Sequence, residues 1–470
     1  MAEGGHYDIV ILGGGSGGYA CALRAAELGK RVALIEKDKV GGTCLHRGCI
    51  PTKALLHAAE VADSAKESEK FGVKTSFEGV EMPAVLSYQQ GVVERLWKGL
   101  QGTLSGRKVD VIYGDGRLAS PTSVTVNGDT YTGDHIVLAS GSVPRSLPGL
   151  EIDHNRVINS DDALNLDRVP SSVVILGGGV IGVEFASVWR SFGADVTIVE
   201  MAPQLLPLEE EASAKVLQRV FRRRGIKFEL GNPFKSADYT DSGIKVTLGD
   251  GKELDAELLL VAVGRGPVSA GLGYEENGVT VTRGFVEVDP LLQTAVPTIS
   301  AVGDLVTVGG GAHLQLAHVG FAEGILVAER LGGLDVRPID YDGVPRITYS
   351  EPEVASVGIT SAQAADRGIA VVEVNYPLGG NGKSVILQTQ GQAKVIAEAP
   401  SEPGGQPGRV LGIHLVGSRV GELIAEAQLI YNWDAEPDDV AALIHPHPTQ
   451  SEIIGEAHLA LAGKPLHFHA

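Results

Sequence analysis

Tyr7-Asp8-Ile9-Val10-Ile11-Leu12-Gly13-Gly14-Gly15-Ser16-Gly17-Gly18 is a short apolar run, Tyr7 to Leu12, that ends in a glycine cluster. An alanine-rich helical stretch follows to Gly29, then a second apolar run, Arg31 to Ile35, closed by Glu36. The order of strand, glycine turn, helix, strand and acid predicts a βαβ unit. Gly13, Gly15 and Gly18 fill the pattern G-x-G-x-x-G. The first serves the turn, the second lets a pyrophosphate approach the helix N-terminus, and the third lets the helix pack on the strand. Glu36 is then placed to meet a ribose hydroxyl. A glycine-rich chain produces that spacing by chance, so the reading rests on the strand and helix around it and on the acid that closes the unit.

The same text returns at Val173 to Leu176, then Gly177-Gly178-Gly179-Val180-Ile181-Gly182, a helix through Phe192, and Asp195 to Val199 followed by Glu200. Gly177, Gly179 and Gly182 repeat the pattern, and the distance from first glycine to acid is the same in both units (13 to 36, 177 to 200). Two dinucleotide sites on one geometry imply electron transfer between two cofactors; the alternative is a duplicated α/β core with one inactive site. Glu200 favours NAD over NADP. A carboxylate accepts a hydrogen bond from a free 2′-hydroxyl and repels a 2′-phosphate, and Met201-Ala202-Pro203-Gln204 offers no arginine to bind one.

Between the units lies Gly41-Gly42-Thr43-Cys44-Leu45-His46-Arg47-Gly48-Cys49-Ile50-Pro51-Thr52-Lys53, with two of only three cysteines in the chain. On a regular helix a separation of five residues puts the Cα atoms roughly 8 to 9 Å apart on diverging faces, too far for a disulfide. If the pair closes, the backbone must deviate, and Gly48 and Pro51 supply a permissive residue and a missing donor. Two unrelated buried thiols would also satisfy the spacing. A structural zinc would not be satisfied, because only His46 stands beside the cysteines, and no metal site is expected. Lys53 is placed to favour a thiolate or another anion.

Composition narrows the classes further. The chain has 470 residues with 43% hydrophobic and 21% charged side chains, enough for about three globular domains. Its formal net charge of −19 argues against nucleic acid or anionic lipid as partners. No run of about 18 apolar residues appears, and Met1 to His6 lacks a charged-then-apolar leader, so a soluble cytoplasmic protein is expected. With Cys21 the only other cysteine there is no disulfide framework, and a disulfide persisting in a reducing compartment is expected to be catalytic.

The stretch Gly41 to Lys53 resembles the redox-active disulfide signature of the class I pyridine nucleotide-disulfide oxidoreductases, and within that family is most similar to the dihydrolipoyl dehydrogenases. The usual wording between the cysteines is Leu-Asn-Val-Gly, and here it is Leu45-His46-Arg47-Gly48. The resemblance implies two Rossmann-like α/β domains, for FAD and NAD, and an α+β dimerisation domain. It gives FAD to the N-terminal unit, with Gly42 and Thr43 beside the cofactor and Cys44 and Cys49 as the disulfide, and NAD to the second. Glu184 is implied as the partner of Lys53 near the flavin, though it also reads as an ordinary carboxylate on a helix surface.

Val111 to Gly116 and Ser123 to Val126 read as strands of an antiparallel insertion, with Gly116 an implied cofactor contact. Ile136 to Leu138 leads into Ala139-Ser140-Gly141, which resembles a second FAD contact at Ser140 and Gly141. Leu258 to Gly264 follows the NAD unit, with Gly264 a cofactor contact, and Thr298 to Asp304 resembles the other FAD fingerprint. There Asp304 is implied to meet the ribityl chain, although an aspartate at that point also suits a helix N-cap. Ala317 and His318 fall in the family position under the flavin ring. The resulting organisation is 1–150 and 271–345 for FAD, 151–270 for NAD and 346–470 for the interface.

His445-Pro446-His447-Pro448-Thr449-Gln450-Ser451-Glu452 is close to the family's His-x-His-Pro-Thr-x-Ser-Glu. This implies that His447 is the acid-base group and Glu452 its orienting carboxylate, contributed to a site opened by Cys44 of the other subunit in a homodimer. The implied activity is reoxidation of protein-bound dihydrolipoamide with reduction of NAD, on lipoyl domains of 2-oxo acid dehydrogenase or glycine cleavage complexes, since no lipoyl domain is attached. A reductase of glutathione or mycothione type running on NADPH, and a mainly structural subunit of a larger complex, are the alternatives. Leu461 to Ala470 lacks the cysteine pair of a mercuric reductase.

Overall fold

The computed structural model describes residues 5–311 and 313–468. Most of the opening stretch read for a leader, Met1 to Gly4, and the last two residues of the tail lie outside them.

The first sheet has seven strands. Asp110–Tyr113, Val32–Glu36, His6–Leu12 and Asp129–Leu138 lie side by side in parallel, and Ser123–Val126 and Gly116–Ser120 extend the sheet antiparallel. The strands Val32–Glu36 and His6–Leu12 are apolar almost throughout because both faces are covered, as parallel sheets require. The stretch Val111 to Gly116 is therefore not one antiparallel strand. Val111 and Ile112 continue the parallel sheet beside Leu34 and Ile35, the chain breaks at Gly114 with φ +154°, and the antiparallel ribbon starts at Gly116. An added Cβ on Gly114 would stand 2.4 Å from the Asn127 side chain, so the break needs a glycine.

The second unit repeats the design with five parallel strands in the order Lys227–Leu230, Asp195–Glu200, Ser172–Leu176, Leu258–Val261, Val157–Ile158. The chain leaves the first unit along Ser142–Pro144 and returns along Arg265–Pro267, and the two passages pair antiparallel. Ile299–Ala301 then re-enters the first sheet beside Ile136 to Leu138, which delivers the turn at Asp304 back to the first unit. Helix Ala317–Leu331 packs against helix Ser16–Glu27 so closely that a Cβ on Gly324 would lie 2.3 Å from the Gly17 carbonyl oxygen.

The C-terminal segment is an antiparallel sheet in the order Arg346–Thr348, Glu353–Gly358, Val410–Gly417, Gln392–Glu398, Val371–Pro377. Its core includes Val357, Val395, Ile413 and Leu415, packed with Ile424 and Ala427 of helix Val420–Asn432 and Ile453 and Ile454 of helix Glu452–Leu461. Among the described residues no helix is long and apolar enough to cross a membrane.

Candidate active site

A single cavity of about 1680 Å³ runs across both nucleotide units. Its wall contains Gly13, Gly15, Glu36, Gly42, Thr43, Cys44, Cys49, Lys53, Gly116, Ser140 and Gly141 from the first part of the chain. From the rest come Gly177, Gly179, Glu184, Glu200, Gly264, Asp304, Ala317 and His318. The two units build their share alike. Gly13 and Gly177 have φ of +112° and +106°, and a Cβ on either would meet a carbonyl oxygen of the neighbouring strand's end at 2.2 or 2.3 Å. Gly18 and Gly182 face away from the cavity, where a Cβ would strike the Gly13 or Gly177 carbonyl oxygen. Gly15 and Gly179 have nothing within 4 Å of a Cβ position and cap helices Ser16–Glu27 and Val180–Phe192 without a side-chain hydrogen bond. Open space and unused N–H groups at a helix start fit a pyrophosphate.

The acids at the strand ends match as well. Glu36 accepts from Gly14 N at 2.8 Å and Asp38 N at 2.8 Å, and Glu200 accepts from Gly178 N at 2.6 Å and Ala202 N at 2.7 Å. Each carboxylate is thereby fixed at the rim of its own cradle.

The cysteine segment is two helices, Gly42–Arg47 and Cys49–Glu67, broken at Gly48. A Cβ on Gly48 would stand 3.0 Å from the Thr43 carbonyl oxygen, so the break packs tightly. It brings Cys44 and Cys49 close enough to interact, and both are free thiols in this structure where the resemblance implied a disulfide. The hydrogen bond from Cys44, joined by the Lys53 charge, lowers the Cys49 thiol to about 7 against the effect of burial. Cys44 moves the opposite way, raised first by the same hydrogen bond and then by burial. The unusual pair between the cysteines divides: His46 Nε2 bonds the Val40 carbonyl at 3.0 Å with its ring edge on Trp97, while Arg47 lines the cavity and lies 3.4 Å from Asp38.

Lys53 Nζ donates to both oxygens of Glu184, at 2.9 and 2.8 Å. The Glu184 side chain is only 4% exposed, which rules out a carboxylate on the helix surface. Tyr349 was not legible as part of this group: its N–H donates to Glu184 at 2.9 Å and its ring lies 4.7 Å from Lys53 Nζ. Burial opposes the Lys53 charge, but Glu184 prevails and raises its pKa.

Asp304 sits inside the single 3₁₀ turn Gly303–Leu305 and not at a helix N-cap. Its Oδ2 accepts from Ser142 Oγ at 2.5 Å, and Arg265 Nε donates to the same hydroxyl at 2.8 Å. Arg265 also reaches Thr43 Oγ1 at 3.3 Å. Sequence reading missed Arg265 and Ser142 as site residues; the only local signal was a basic residue following Gly264 at a strand end. Ser140 donates to the Val268 carbonyl at 2.5 Å, and His318 Nε2 meets the Pro345 carbonyl at 2.8 Å.

His447 and Glu452 lie apart from this cavity, outside its wall. His447 Nδ1 is 2.9 Å from Glu452 Oε1, and Glu452 Oε2 accepts from Thr449 N at 2.7 Å. The imidazole is otherwise open, with its side chain 76% exposed. His445 makes a second pair, 2.7 Å from Glu426, and is mostly buried.

Residues 7–324 match the family model described as pyridine nucleotide-disulphide oxidoreductase, and residues 344–458 match its dimerisation domain. The chain belongs to this family. It is 39% identical over 481 residues to a dihydrolipoyl dehydrogenase of Bacillus subtilis, covering 98% of this chain and 99% of the relative. It is 36% identical over 474 residues to mitochondrial dihydrolipoyl dehydrogenase 1 of Arabidopsis thaliana, covering 98% and 91%. The crystal structure of LpdA from Mycobacterium tuberculosis is similar at a TM-score of 0.88 and 26% identity, over 96% of this chain and 99% of that one. As a member of this family the protein is an oxidoreductase with FAD and NAD as cofactors.

Proposed function

We propose that the protein is a dihydrolipoyl dehydrogenase that oxidises a protein-bound dihydrolipoyl group and reduces NAD. The observation that carries this is the contacting thiol pair in the wall of one cavity shared by two dinucleotide cradles. Full-length similarity to proteins of that name supports it. FAD fits the first cradle, with Gly15 open toward the pyrophosphate, Glu36 at the ribose and Asp304 on the ribityl side; NAD fits the second, at Gly179 and Glu200.

Cys44 and Cys49 begin the cycle as a disulfide. His447 takes the proton of a dihydrolipoyl thiol, and the resulting thiolate attacks Cys44 Sγ. The Cys44–Cys49 bond breaks as the Cys44–lipoyl bond forms, and Cys49 leaves as a thiolate, the better leaving group because its pKa is the lower. The second lipoyl thiol then displaces Cys44, closing the lipoyl disulfide; its proton passes to the departing Cys44 sulfur, which ends as a thiol, and His447 keeps the first proton. The chemistry supplied by bound FAD is transfer of the two electrons from the dithiol to NAD. Lys53, held by Glu184, keeps positive charge beside the Cys49 thiolate.

The division into 1–150 and 271–345 for FAD, 151–270 for NAD and 346–470 for the interface is supported by the paired passages at Ser142–Pro144 and Arg265–Pro267. We assign the working form as a homodimer, the partners as lipoyl domains of 2-oxo acid dehydrogenase or glycine cleavage complexes, and the compartment as the cytoplasm. A disulfide that cycles through a dithiol suits a reducing compartment.

The test is turnover of the purified protein with dihydrolipoamide and NAD beside glutathione disulfide and NADPH. Activity in the first assay and none in the second is expected; the reverse would overturn the reading. A related expectation concerns the second nucleotide. Losing one or two hydrogen bonds to the Glu200 carboxylate, at about 1.5 to 3 kcal/mol each, gives NAD a preference over NADP of about tenfold to about 10⁴-fold in kcat/KM. Equal efficiency with the two nucleotides would refute it.

A further inference from the structure

Three arginines stand in the cavity wall, Arg47, Arg265 and Arg346. Arg265 gives its donors to Ser142 and Thr43, and Arg346 gives its Nε–H to Glu209 at 3.1 Å. Arg47 makes no hydrogen bond among the described residues, and its one ion pair is with Asp38 at 3.4 Å, both side chains being half-exposed. A pair of that kind fixes little. A guanidinium carries five N–H donors in a rigid fork and keeps its charge at every working pH, so Arg47 meets the cavity as a cation with its donors unspent.

Its place on the chain aims it at one part of the first cradle. Helix Gly42–Arg47 starts against the glycine turn: a Cβ on Gly42 would stand 2.7 Å from Gly15 Cα. Arg47 comes four residues after Thr43, so the two share a helix face, and both are in the cavity wall. Helical side chains lean toward the N-terminus, which lays Arg47 over the turn that begins at Thr43. On its other side is Asp38, whose N–H donates to Glu36, the acid at the ribose. The guanidinium is thus held between the ribose acid and the open helix start at Gly15, the stretch that a pyrophosphate spans in a dinucleotide.

Charge argues the same way. Burial raises the Asp161 pKa, and Arg265 and Arg47 both oppose it. Burial lowers the Arg265 pKa, and the like charge of Arg47 lowers it further. Two cations that act on each other across one wall favour an anion bound beside them.

We propose that Arg47 is an FAD-binding residue whose guanidinium donates to the pyrophosphate. The proposal rests on FAD occupying the first cradle. It gives this chain a charge-assisted contact that the valine in the usual wording of the cysteine signature does not supply.

The experiment titrates FAD-stripped full-length protein with FAD and follows quenching of flavin fluorescence. Arg47→Val and Arg47→Gln both remove the charge. Each is expected to weaken binding about tenfold, or about 1.4 kcal/mol, near the low end for a hydrogen bond to a charged group because the side chain is half-exposed. The lost contact is ionic, so raising the ionic strength from about 0.1 to about 1 M should narrow the gap between the parent and Arg47→Gln. Asp38→Asn breaks the same ion pair and leaves the Arg47 donors in place, so it should bind FAD at least as tightly as the parent. Calorimetric titration of the FAD-saturated protein with NAD assigns the nucleotide: the Arg47 variants should match the parent there.

If both Arg47 variants bind FAD as tightly as the parent, or if the gap is the same at both ionic strengths, the proposal is overturned. It is overturned as well if Asp38→Asn weakens FAD binding as much as they do, which would make the ion pair a brace for the helix, or if the loss falls on NAD, which would place Arg47 at the second nucleotide. A parent chain that binds no FAD would instead overturn the cofactor reading itself.

Discussion

Activity should reappear when two inactive homodimers, Cys44→Ser and His447→Gln, are mixed under conditions that exchange subunits. Cys44→Ser removes the sulfur that accepts the substrate thiolate and is expected to abolish turnover. His447→Gln removes the general base, worth about 10² to 10⁴ in rate. The geometry motivates placing the two groups on different subunits. Cys44 is in the cavity wall, whereas His447 lies outside it with its side chain 76% exposed and its Nδ1 held by Glu452, so the reactive Nε2 edge faces away from its own chain. That histidine also ends a segment matching a dimerisation domain. With sites shared in trans, a heterodimer has one intact site and one lacking both groups. Equal amounts of the two variants, fully exchanged, should then return about one quarter of parental activity, since half of the dimers are mixed and each carries one good site of two. With sites in cis every site keeps one defect and the mixture stays inactive, which would overturn the assignment. Size-exclusion chromatography of each variant guards against loss of the dimer as the cause.

Features that depend on neighbours along the chain were legible in the sequence. Gly13, Gly15 and Gly18, with Glu36 closing the unit, encode a local strand-turn-helix-strand, and its repetition at Gly177 to Glu200 fixed the α/β class and both cradles. The cysteine segment was legible as an irregular helix entrance, because a separation of five residues cannot join on a regular helix, and the break falls at Gly48. What escaped depends on contacts between segments far apart in sequence. Val111 and Ile112 look alike whether they begin an antiparallel ribbon or extend a parallel sheet, and only the position of Leu34 and Ile35 decides. Arg265, Ser142 and Asp304 come together because two passages between the units pair side by side, a juxtaposition that no periodicity carries. A cluster of His313, Glu323 and Tyr341 escaped for the same reason: its members sit on a turn, a helix and a linker, and an isolated Glu in an apolar helix gives no sign of what it meets. The surroundings of His46 were likewise not legible: its ring is taken by the Val40 carbonyl and Trp97.

Two-electron reduction of the FAD-loaded protein is expected to produce a long-wavelength charge-transfer band that depends on pH, present in alkali and lost in acid. The donor in such a band is a thiolate, and the contact between the cysteines decides which one. Cys49 is lowered to about 7 by the hydrogen bond from Cys44 and by Lys53, while Cys44 is raised. A thiolate exists above its pKa, so the band should be full by about pH 9, half-developed near 7 and nearly absent by about pH 5, two pH units to either side of the midpoint. Three substitutions separate the contributions. Cys49→Ser should lose the band at every pH. Cys44→Ser leaves Cys49 unable to form a disulfide, so its band should be visible before any reductant is added. Lys53→Met should also move the midpoint upward, since the positive charge that Glu184 holds in place no longer favours the anion. If Cys49→Ser keeps the band and Cys44→Ser abolishes it, the two thiols have the reverse roles. A band whose midpoint is the same in the parent and in Lys53→Met would show that Lys53 does not set the thiolate, and its ion pair with Glu184 would then serve the packing of helix Cys49–Glu67 against helix Val180–Phe192 alone.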